Sequence, residues 1–448
     1  MKYFGTDGIR GRFNTHPMTV DVALKVGQAL AARFITEEKS TIVIGRDTRQ
    51  SGQALVSALA SGIMSMGGDV LLAGVIPTPG VAVLTAREER ACAGVVISAS
   101  HNPHEDNGIK LFGGDGYKFA SEIEGEIEAL MEDADALSAK LGAVSRVGSQ
   151  RHLLGATDAY LTFLKEACPE NLSGVSLALD ASNGAASKLA APLLESLGAT
   201  VSVIHAAPNG TNINAECGSE HTEDLQALVK EKKVQAGLAL DGDADRLICV
   251  DENGEPVTGD QIIAIIATHF KGKGILANDA VVTTAMSNMG LTEALTRAGI
   301  SHDQSGVGDR LVMLLMKEKG AVVGGEDSGH MIFMDRHTTG DGLMSALLLL
   351  EVMKETAKPL SQLKTVMDLF PQVLINVDVK AKPAMESLPS VMKVIKEADA
   401  AMEGLGRTLI RYSGTQMMLR VMVEGKEEEA TQMWAEKIAD AVRQEIGA

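Results

Sequence analysis

The sequence predicts an α/β protein with three similar α/β domains, each containing a mixed sheet, and a smaller C-terminal α+β domain. Three stretches repeat one pattern, in which an apolar strand ends in a small polar loop that opens a helix. They are "TIVIGRDTRQSGQALVSALASGIM", "VSLALDASNGAASKLAAPLLESLG" and "AVVTTAMSNMGLTEALTRAG". After about residue 370 the order becomes strand, helix, strand, loop, strand, helix. The 448 residues, 45% of them hydrophobic, give room for two to four domains at ~100–200 residues each.

Domain joins are predicted near residues 155, 255 and 370. The stretch "DAYLTFLKEACPENLSG" is typical of a connecting helix, and "VDENGEPVTGDQ" of a turn before the next domain. In "LRVMVEG", apolar residues alternate with Arg420, Met422 and Glu424, which predicts a strand with Arg420 on its solvent face. The expected domains are 1–155, 156–255, 256–370 and 371–448.

Charge and cysteine content exclude several classes of function. The net charge of -18 argues against nucleic-acid or anionic-membrane partners, because phosphate backbones repel such a surface. The four cysteines are far apart and show no CxxC spacing, so we expect reduced thiols rather than a disulfide framework. With no signal peptide and no long apolar run in the sequence, we expect a cytoplasmic location.

The stretch "VVISASHNPHEDNGIKLF" contains a candidate nucleophile. Its composition predicts a buried strand that still includes Ser98, with Ser100 as an exposed hydroxyl in the loop that follows. The Asp-Asn-Gly at 106–108 is typical of a tight turn, which would bring Lys110 back toward Ser100. The alternative is that these polar residues only cap a turn.

The stretch "LALDGDADRLICV" is a candidate metal site. Asp241, Asp243 and Asp245 follow an apolar strand at alternate positions, so an extended backbone would direct all three carboxylates to one side. Hard oxygen ligands of this kind suit Mg²⁺. An EF-hand is excluded because Arg246 replaces its required glycine. A solvated acidic turn remains the alternative.

Two further loops have the composition of ligand-binding sites. "VVGGEDSGHMIF" places Glu326, Ser328 and His330 among glycines, which suits hydrogen bonds to the hydroxyls of a polar ligand. "IRYSGTQMMLRV" combines guanidiniums, hydroxyls and a glycine in a manner typical of phosphate binding. Its candidate residues are Arg411, Ser413, Gly414, Thr415 and Arg420. A capped bend and a simple hairpin loop, respectively, are the alternatives.

These four motifs occur in order, one for each predicted domain, and the chain resembles the α-D-phosphohexomutase family over essentially all of its length. The segments "KYFGTDGIRG", "PTPG", "NINAECGS" and "TTGDG" most resemble the bacterial members that act on glucosamine phosphate. Two departures stand out: Asp327 lies where those members generally have Gln, and Gln416 and Met417 follow Thr415 where the family commonly has Glu-Pro.

The resemblance implies a function for each motif. Ser100 would be the phosphoserine and would also contact one Mg²⁺ per subunit, together with Asp241, Asp243 and Asp245. The sugar loop would be Glu326, Ser328 and His330, and the phosphate loop Arg411, Ser413, Gly414, Thr415 and Arg420. Lys110 resembles the general acid or base, and the further catalytic candidates are His101, Arg10, Arg246 and His330. Four domains would then surround one cleft that excludes water.

The implied reaction interconverts glucosamine 6-phosphate and glucosamine 1-phosphate through a 1,6-bisphosphate, supplying UDP-N-acetylglucosamine for cell-wall synthesis. A glucose or glucosamine 1,6-bisphosphate primer, or a kinase, would phosphorylate Ser100, and a homodimer is expected. The alternatives are phosphomannomutase or phosphoglucomutase activity, which share the motifs. A metal-dependent phosphatase would not need the distant phosphate loop. A non-catalytic sensor would be expected to lack Ser100 or an aspartate.

Overall fold

The computed structural model describes residues 2–169, 171–413 and 417–448. By its internal contacts the chain divides into two compact units. Unit 1 comprises Met1–Met286 and Gly299–Val366, and unit 2 comprises Ser287–Ala298 and Met367–Ala448. Among the helices of the described ranges, none is long and apolar enough to cross a membrane.

The first sheet of unit 1 has six strands in the order β1-β5-β4-β2-β3-β6. Neighbouring strands in the series β4, β2, β3 and β6 pair in parallel. Strand β5 pairs antiparallel with both β4 and β1. All seven residues of β4 are buried, because helices cover both faces of the sheet's centre. The strands are β1 (Ile9–Arg12), β2 (Thr41–Arg46), β3 (Asp69–Val75), β4 (Ala91–Ile97), β5 (Asp106–Gly113) and β6 (Gln150–His152). The helices are α1 (Val20–Phe34), α2 (Gly52–Ser65), α3 (Thr78–Arg87), α4 (Ser121–Glu132) and α5 (Ala134–Gly142).

The second sheet follows the connecting helix α6 (Ala156–Ala167) and has the order β11-β10-β9-β7-β8. Its strands β9, β7 and β8 are parallel, and β10 turns back antiparallel to β9. The strands are β7 (Ser176–Asp180), β8 (Thr200–Ile204), β9 (Ala236–Leu240), β10 (Leu247–Asp251) and β11 (Pro256–Val257), with helices α7 (Ala190–Ser196) and α8 (Glu223–Lys232).

The third sheet has the order β13-β12-β14-β15, again parallel except for its last strand. Helix α10, which connects β12 to β13, belongs to unit 2 by its contacts. The strands are β12 (Ala280–Thr284), β13 (Ser301–Ser305), β14 (Val323–Gly325) and β15 (Met331–Phe333). The helices are α9 (Gly259–Lys273), α10 (Met289–Arg297), α11 (Asp309–Lys319), α12 (Gly342–Thr356) and α13 (Leu360–Leu363).

Unit 2 contains a three-stranded antiparallel sheet in the order β16-β18-β17, together with α10. Its apolar core includes Val391, Leu419, Val421 and Ile438, all fully buried. Fully burying such a side chain contributes roughly 1.5–3 kcal/mol. The elements are β16 (Gln372–Asp378), α14 (Pro389–Met402), β17 (Gly406–Tyr412), β18 (Met418–Gly425) and α15 (Glu428–Ile446).

The predicted fold class, three α/β sheets of mixed direction and a smaller α+β domain, is confirmed. The exact domain boundaries stay predictions. Each motif loop connects two antiparallel neighbours, as the predicted order of strand, loop and strand already indicated for the fourth motif. The pairs are β4 with β5, β9 with β10, β14 with β15, and β17 with β18.

Candidate active site

The Ser100 loop runs from the end of β4 to the start of β5. Ser100 has a left-handed backbone, with φ of 54°, and is only 1% exposed. Its N–H donates to Ser98 Oγ at 3.0 Å, and its carbonyl accepts from Asn214 Nδ2 at 2.8 Å. The prediction of an exposed hydroxyl is therefore wrong in this structure. Segments distant in sequence, including the one that carries Asn214, cover this loop.

A buried arginine that sequence reasoning missed organises the same loop. Arg49 donates to the carbonyls of Ser100 at 2.9 Å, Asn102 at 2.7 Å and Asp106 at 3.0 Å. Its charge is balanced by Asp47, whose carboxylate accepts from Arg49 Nε at 2.8 Å. The signal in the sequence was the polar "GRDTR" directly after β2. Because all these acceptors are backbone atoms, Arg49 holds the conformation of the loop.

Lys110 is brought back toward Ser100, but not by the predicted turn. Residues 106–108 lie within β5, and the chain reverses direction over 98–105. In the antiparallel register Lys110 pairs with Val96, close to the end of β4. The antiparallel pairing of β5 with β4 therefore brings Lys110 back toward Ser100. The Asp-Asn-Gly sequence did not indicate this pairing, because the same three residues can also begin a strand.

Asp241, Asp243 and Asp245 converge, although not by an extended backbone. The segment between β9 and β10 is a turn in which Ala244 has a φ of 54°. One carboxylate oxygen from each aspartate lies within 4.8 Å of the others, and all three residues are buried. The predicted cluster is therefore present, but its convergence comes from a tight turn.

The donor set of this cluster fits a hard divalent cation. Asp243 Oδ1 and Asp245 Oδ1 are buried and have no hydrogen-bond partner among the described residues. Burial and the neighbouring Asp245 and Asp243 carboxylates raise the pKa of Asp241 well above its usual range. Buried oxygens without partners and mutual repulsion are what a bound Mg²⁺ would relieve. Ser100 Oγ donates to Asp241 Oδ2 at 2.6 Å, so the serine oxygen adjoins the same donor set.

Thr78 in the "PTPG" segment positions one of these aspartates. Its hydroxyl donates to Asp243 Oδ2 at 2.6 Å, and its N–H donates to the Asp243 carbonyl at 2.9 Å. Thr78 is fully buried at the start of α3. The metal loop is therefore attached to the first sheet's helix layer by two hydrogen bonds to one residue.

Lys110 supplies the main positive charge within the cluster. Its Nζ lies 2.8 Å from Asp243, 3.1 Å from Asp245 and 3.4 Å from Asp7. Burial favours the neutral amine, but the carboxylates of Asp243, Asp245 and Asp7 outweigh it and raise the pKa of Lys110 well above its usual value. Lys110 is therefore protonated in this arrangement. Asp7, within "FGTDGIRG", was not predicted as a site residue.

Two arginines and a histidine adjoin Ser100 and the aspartates. Arg10 pairs with Asp7, and the backbone N–H of Arg246 donates to Asp241 Oδ1 at 3.2 Å. The Nε atoms of both arginines are buried without a hydrogen-bond partner among the described residues. His101 Nδ1 lies 3.2 Å from Ser100 Oγ, and burial together with Arg246 and Arg10 lowers the pKa of His101 to about 4. His101 is therefore neutral near pH 7.

The predicted sugar loop connects β14 to β15 and meets the aspartate cluster through His330. His330 lies 3.5 Å from both Asp245 and Asp309. Burial opposes its charged form, but Asp245 and Asp309 outweigh burial and raise the pKa of His330. Glu326 accepts from Gly308 N–H at 3.1 Å and from Ser328 Oγ at 3.4 Å.

A second buried lysine extends this network. Lys118 lies 2.5 Å from Asp7 and also pairs with Asp309. It therefore connects the carboxylate beside Lys110 to the carboxylate beside His330. Neither Lys118 nor Asp309 was predicted, because single charged residues in "GDGYKF" and "GVGDRL" give no distinctive signal.

The predicted phosphate loop belongs to unit 2. Arg411 and Arg420 are directly opposite each other on β17 and β18. Burial and the neighbouring Arg420 lower the pKa of Arg411, and Arg420 Nε is buried without a hydrogen-bond partner in the described ranges. Ser413 is buried, and its N–H donates to the Met418 carbonyl at 2.9 Å. The other two predicted residues of this loop, Gly414 and Thr415, lie outside the described residues.

Comparison with protein-family models accounts for nearly the whole chain. Residues 1–138, 158–254 and 258–370 match the phosphoglucomutase/phosphomannomutase alpha/beta/alpha domains I, II and III, and 374–441 match the C-terminal domain of the same family. The chain belongs to the phosphoglucomutase/phosphomannomutase family. Curated relatives match this chain over its full length. The phosphoglucosamine mutase of Syntrophobacter fumaroxidans is 51% identical over 447 residues, 99% of either chain. That of Bacillus subtilis is 48% identical over 449 residues, covering 100% of this chain and 99% of the relative.

Solved structures of other phosphoglucomutase/phosphomannomutase proteins share the fold. A family protein from Burkholderia thailandensis has a TM-score of 0.81 at 24% identity, covering 99% of this chain and 97% of that chain. The Aspergillus fumigatus N-acetylphosphoglucosamine mutase, in complex with GlcNAc-6P and magnesium, has a TM-score of 0.68 at 18% identity, covering 100% and 96%. At these identities the likeness concerns the fold alone.

Proposed function

We propose that this protein is a phosphoglucosamine mutase, an isomerase that interconverts glucosamine 6-phosphate and glucosamine 1-phosphate. The observation that carries the reaction is the Ser100 hydroxyl, which donates to Asp241 within a cluster of three buried aspartates. The substrate is supported by full-length relatives of that name at 48–51% identity.

Ser100 is the proposed carrier of the phosphoryl group. In the first half-reaction a hydroxyl oxygen of the sugar monophosphate bonds to the phosphorus of phosphoserine, and the bond from phosphorus to Ser100 Oγ breaks. The product is a 1,6-bisphosphate, and the proton of the sugar hydroxyl ends on the serine oxygen. The second half-reaction runs in reverse with the other phosphate, so the phosphoserine is regenerated.

The proposed task of Lys110 is to relay the proton: its ammonium donates a proton to the departing serine oxygen, and the resulting amine accepts the proton of the attacking sugar hydroxyl. Arg10 and Arg246, both next to the aspartates, are suited to neutralising the transferring phosphoryl group. His101 and His330 complete the proposed catalytic set, one neutral and one with its pKa raised.

Asp241, Asp243, Asp245 and the Ser100 oxygen would hold one Mg²⁺ per subunit. When bound, the cation would supply neutralisation of the charge on phosphate oxygens. Without it, burial and the neighbouring carboxylates of Asp245 and Asp243 disfavour the charge on Asp241, and its pKa is raised.

The remaining motif residues are the proposed substrate contacts. Glu326, Ser328 and His330 would bind the sugar hydroxyls, and the Glu326 carboxylate can also pair with a protonated 2-amino group. The phosphate that is not reacting would be held in turn by Arg411, Ser413, Gly414, Thr415 and Arg420. One phosphate-binding loop would therefore serve both half-reactions.

Further proposals concern how Ser100 is first phosphorylated, the oligomeric state of the enzyme, its location in the cell and the use of its product. A glucose or glucosamine 1,6-bisphosphate would prime the unphosphorylated enzyme, or a kinase would phosphorylate Ser100. We also propose a homodimer, a cytoplasmic location, and supply of UDP-N-acetylglucosamine for cell-wall synthesis.

The test is a parallel assay of glucosamine 6-phosphate, glucose 6-phosphate and mannose 6-phosphate with one preparation, primed with glucose 1,6-bisphosphate. We expect kcat/KM for the amino sugar to exceed the others by at least ~10-fold, the scale of one charge-assisted contact. Equal or better efficiency on mannose or glucose phosphates would assign the protein to phosphomannomutase or phosphoglucomutase activity instead.

Two variants test whether the preference for glucosamine 6-phosphate comes from the sugar loop. Glu326→Gln removes the carboxylate that would pair with the amino group, so the ratio of efficiencies should fall toward one. Asp327→Gln is the matched control, because Asp327 Oδ1 already accepts from the Asp260 N–H at 3.2 Å. If Asp327→Gln changed the ratio and Glu326→Gln did not, the assigned contact would be wrong.

A further inference from the structure

A cavity of about 460 Å³ in unit 1 shares Arg49 with the Ser100 loop but is lined by none of the proposed catalytic or substrate-binding residues. It opens at the carboxyl ends of β2, β3 and β7, where crevices of parallel sheets commonly bind ligands. Neither Ser100 nor the three aspartates line it. The polar and charged lining residues that bear on a ligand are Arg46, Thr48, Arg49, Gln50, Gln53 and Lys188.

The charge of the lining is opposite to that of the whole chain. The lining contains Arg46, Arg49 and Lys188 and no carboxylate. The whole chain has 59 acidic residues against 41 lysines and arginines. Clustered cations in an acidic protein repel one another unless an anion neutralises them.

Two of these cations lack a carboxylate partner among the described residues. Arg46 donates to the Asp47 backbone carbonyl at 2.9 Å, but the Asp47 carboxylate is already bound by Arg49 and Ser98. Burial lowers the pKa of Arg46, with Asp47 opposing that shift. Lys188 is exposed and forms no ion pair within the described part of the chain. A half-buried guanidinium and a free ammonium are therefore available to one ligand.

The walls are held together by hydrogen bonds between the first and second sheets' loops. Thr48 Oγ1 donates to the Asn183 carbonyl at 2.6 Å, and the Gln50 N–H donates to the Gly210 carbonyl at 3.0 Å. The side-chain amides of Gln50 and Gln53 are exposed at the opening. The cavity is therefore preformed, and its volume falls within the ~300–1,000 Å³ of small-molecule sites.

We propose that this cavity binds a phosphorylated small molecule, with its phosphate or diphosphate group at Arg46 and Lys188. Guanidinium and ammonium groups are the usual protein ligands of phosphate, and amides such as Gln50 and Gln53 suit the hydroxyls of a polar metabolite. The proposal does not depend on the mutase reaction. Arg49 is among the residues that line this cavity, and its guanidinium donates to the Ser100 carbonyl, so this residue is common to both sites.

The test is calorimetric titration of the full chain with inorganic pyrophosphate, with phosphate as the weaker comparison probe. The double variant Arg46→Gln, Lys188→Gln should lose at least ~10-fold in affinity at one class of site. Lys232→Gln, an exposed lysine on α8 outside the cavity, is the matched control and should bind as the parent does. Variants of Arg411 and Arg420 should leave this class of site unchanged.

Location is tested separately by soaking crystals of the protein with tungstate. A peak at Arg46 and Lys188 that is lost in the double variant would support the proposal. If the double variant folds poorly, the single exposed variant Lys188→Gln gives the same comparison. Pyrophosphate affinity that is unchanged by Lys188→Gln and by the double variant, or tungstate peaks at other positions only, would overturn the proposal.

Discussion

Two charged regions of the molecule are built in opposite ways. The aspartate cluster of unit 1 contains its own counter-charge, because Lys110 lies within 3.1 Å of both Asp243 and Asp245. The arginine pair of unit 2 does not, since Arg411 and Arg420 are neighbours of like charge and have no carboxylate partner among the described residues. Lys110 therefore offsets part of the repulsion in the first region before a cation binds, whereas the positive charge of the second has no such counter-charge. The comparison shows that one chain can contain both a cluster whose charges are partly paired within the protein and a pair of like charges that an anionic ligand would have to balance.

The largest effect is expected at the serine that joins the first region. Ser100→Ala should lower mutase turnover by at least ~1,000-fold, because the covalent phosphoryl carrier is lost. The fold should stay intact, since alanine and serine are strained to a similar degree at a φ of 54° and the lost hydrogen bond to Asp241 contributes only about 1–3 kcal/mol. Intact mass should show one phosphate on the parent protein and none on the variant. Phosphate found on Ser98 alone would show that the nucleophile was wrongly assigned.

The next effect separates repulsion from metal binding within the aspartate cluster. Asp241→Asn should weaken Mg²⁺ binding by roughly 10–100-fold, by analogy with the loss of groups around other metal sites. In EDTA the same change should raise Tm by about 1–3 °C, because it removes one of three repelling carboxylates. Calorimetric titration and thermal melts measure both quantities.

The exposed Asp158 on α6 provides the control for that experiment. Asp158→Asn should change neither the Mg²⁺ affinity nor the Tm in EDTA beyond experimental error. If Asp241→Asn behaved in the same way as this control, the cluster would be an ordinary acidic turn.

A smaller effect is expected at the arginine pair. Arg420→Gln should raise KM for sugar monophosphates about 10-fold, since one charge-assisted contact to phosphate is lost. Without an anion it should stabilise unit 2 by about 0.2–1 kcal/mol, the scale of a like-charged cross-strand pair. Added phosphate should raise Tm less in this variant than in the parent.

Arg443, which pairs with Asp440 on α15, is the matched control for the arginine experiment. Arg443→Gln should leave KM and the stabilisation by phosphate as in the parent. A parental KM in Arg420→Gln would remove this arginine from substrate binding.

The last effect is seen only as a change of stability with pH and concerns the two histidines next to the aspartate cluster. His101 has its pKa lowered to about 4 by burial, Arg246 and Arg10, whereas Asp245 and Asp309 outweigh burial and raise the pKa of His330. The folded state thus favours neutral His101, and the stability this gives is lost as pH falls from about 6.5 to about 4. His330 has the opposite sign: its contribution is present below about 6.5 and is lost as pH rises through its raised pKa.

Urea unfolding at several pH values measures the difference. His101→Asn should remove up to about 3 kcal/mol of the stability loss between pH 6.5 and 4 in the metal-free protein. His330→Asn should leave that acid range unchanged and flatten the loss above pH 6.5. The same slope in all three proteins would show that neither histidine has a shifted pKa.

Much of the local organisation could be read from the sequence because it depends on short-range pattern. The apolar runs that become β4, β9 and β14 are visible as composition, and the polar residues after them mark the motif loops. Their conformations were less predictable. Asp241, Asp243 and Asp245 converge through a turn at Ala244, and a positive φ at alanine has no sequence signature.

The site residues that the sequence analysis did not predict are those whose role depends on contacts with residues far away in the sequence. Arg49 contacts four carbonyls of the Ser100 loop, and Thr78 contacts an aspartate 165 residues away. Lys118 pairs with both Asp7 and Asp309, and these three residues lie in separate parts of the sequence. A single arginine, threonine or lysine is common on any surface, so only the tertiary contacts distinguish these from ordinary polar residues.

The sequence by itself determined the fold class, the order of the motif loops and the kind of chemistry each one supports, since periodicity and residue type act over a few neighbouring positions. Only the tertiary structure decided that Ser100 is buried, that Lys110 neutralises Asp243 and Asp245, and that one histidine beside the cluster has a lowered pKa and another a raised one. The physical reason is that burial and charge pairing are properties of the space around a side chain. That space is filled by segments far away along the chain.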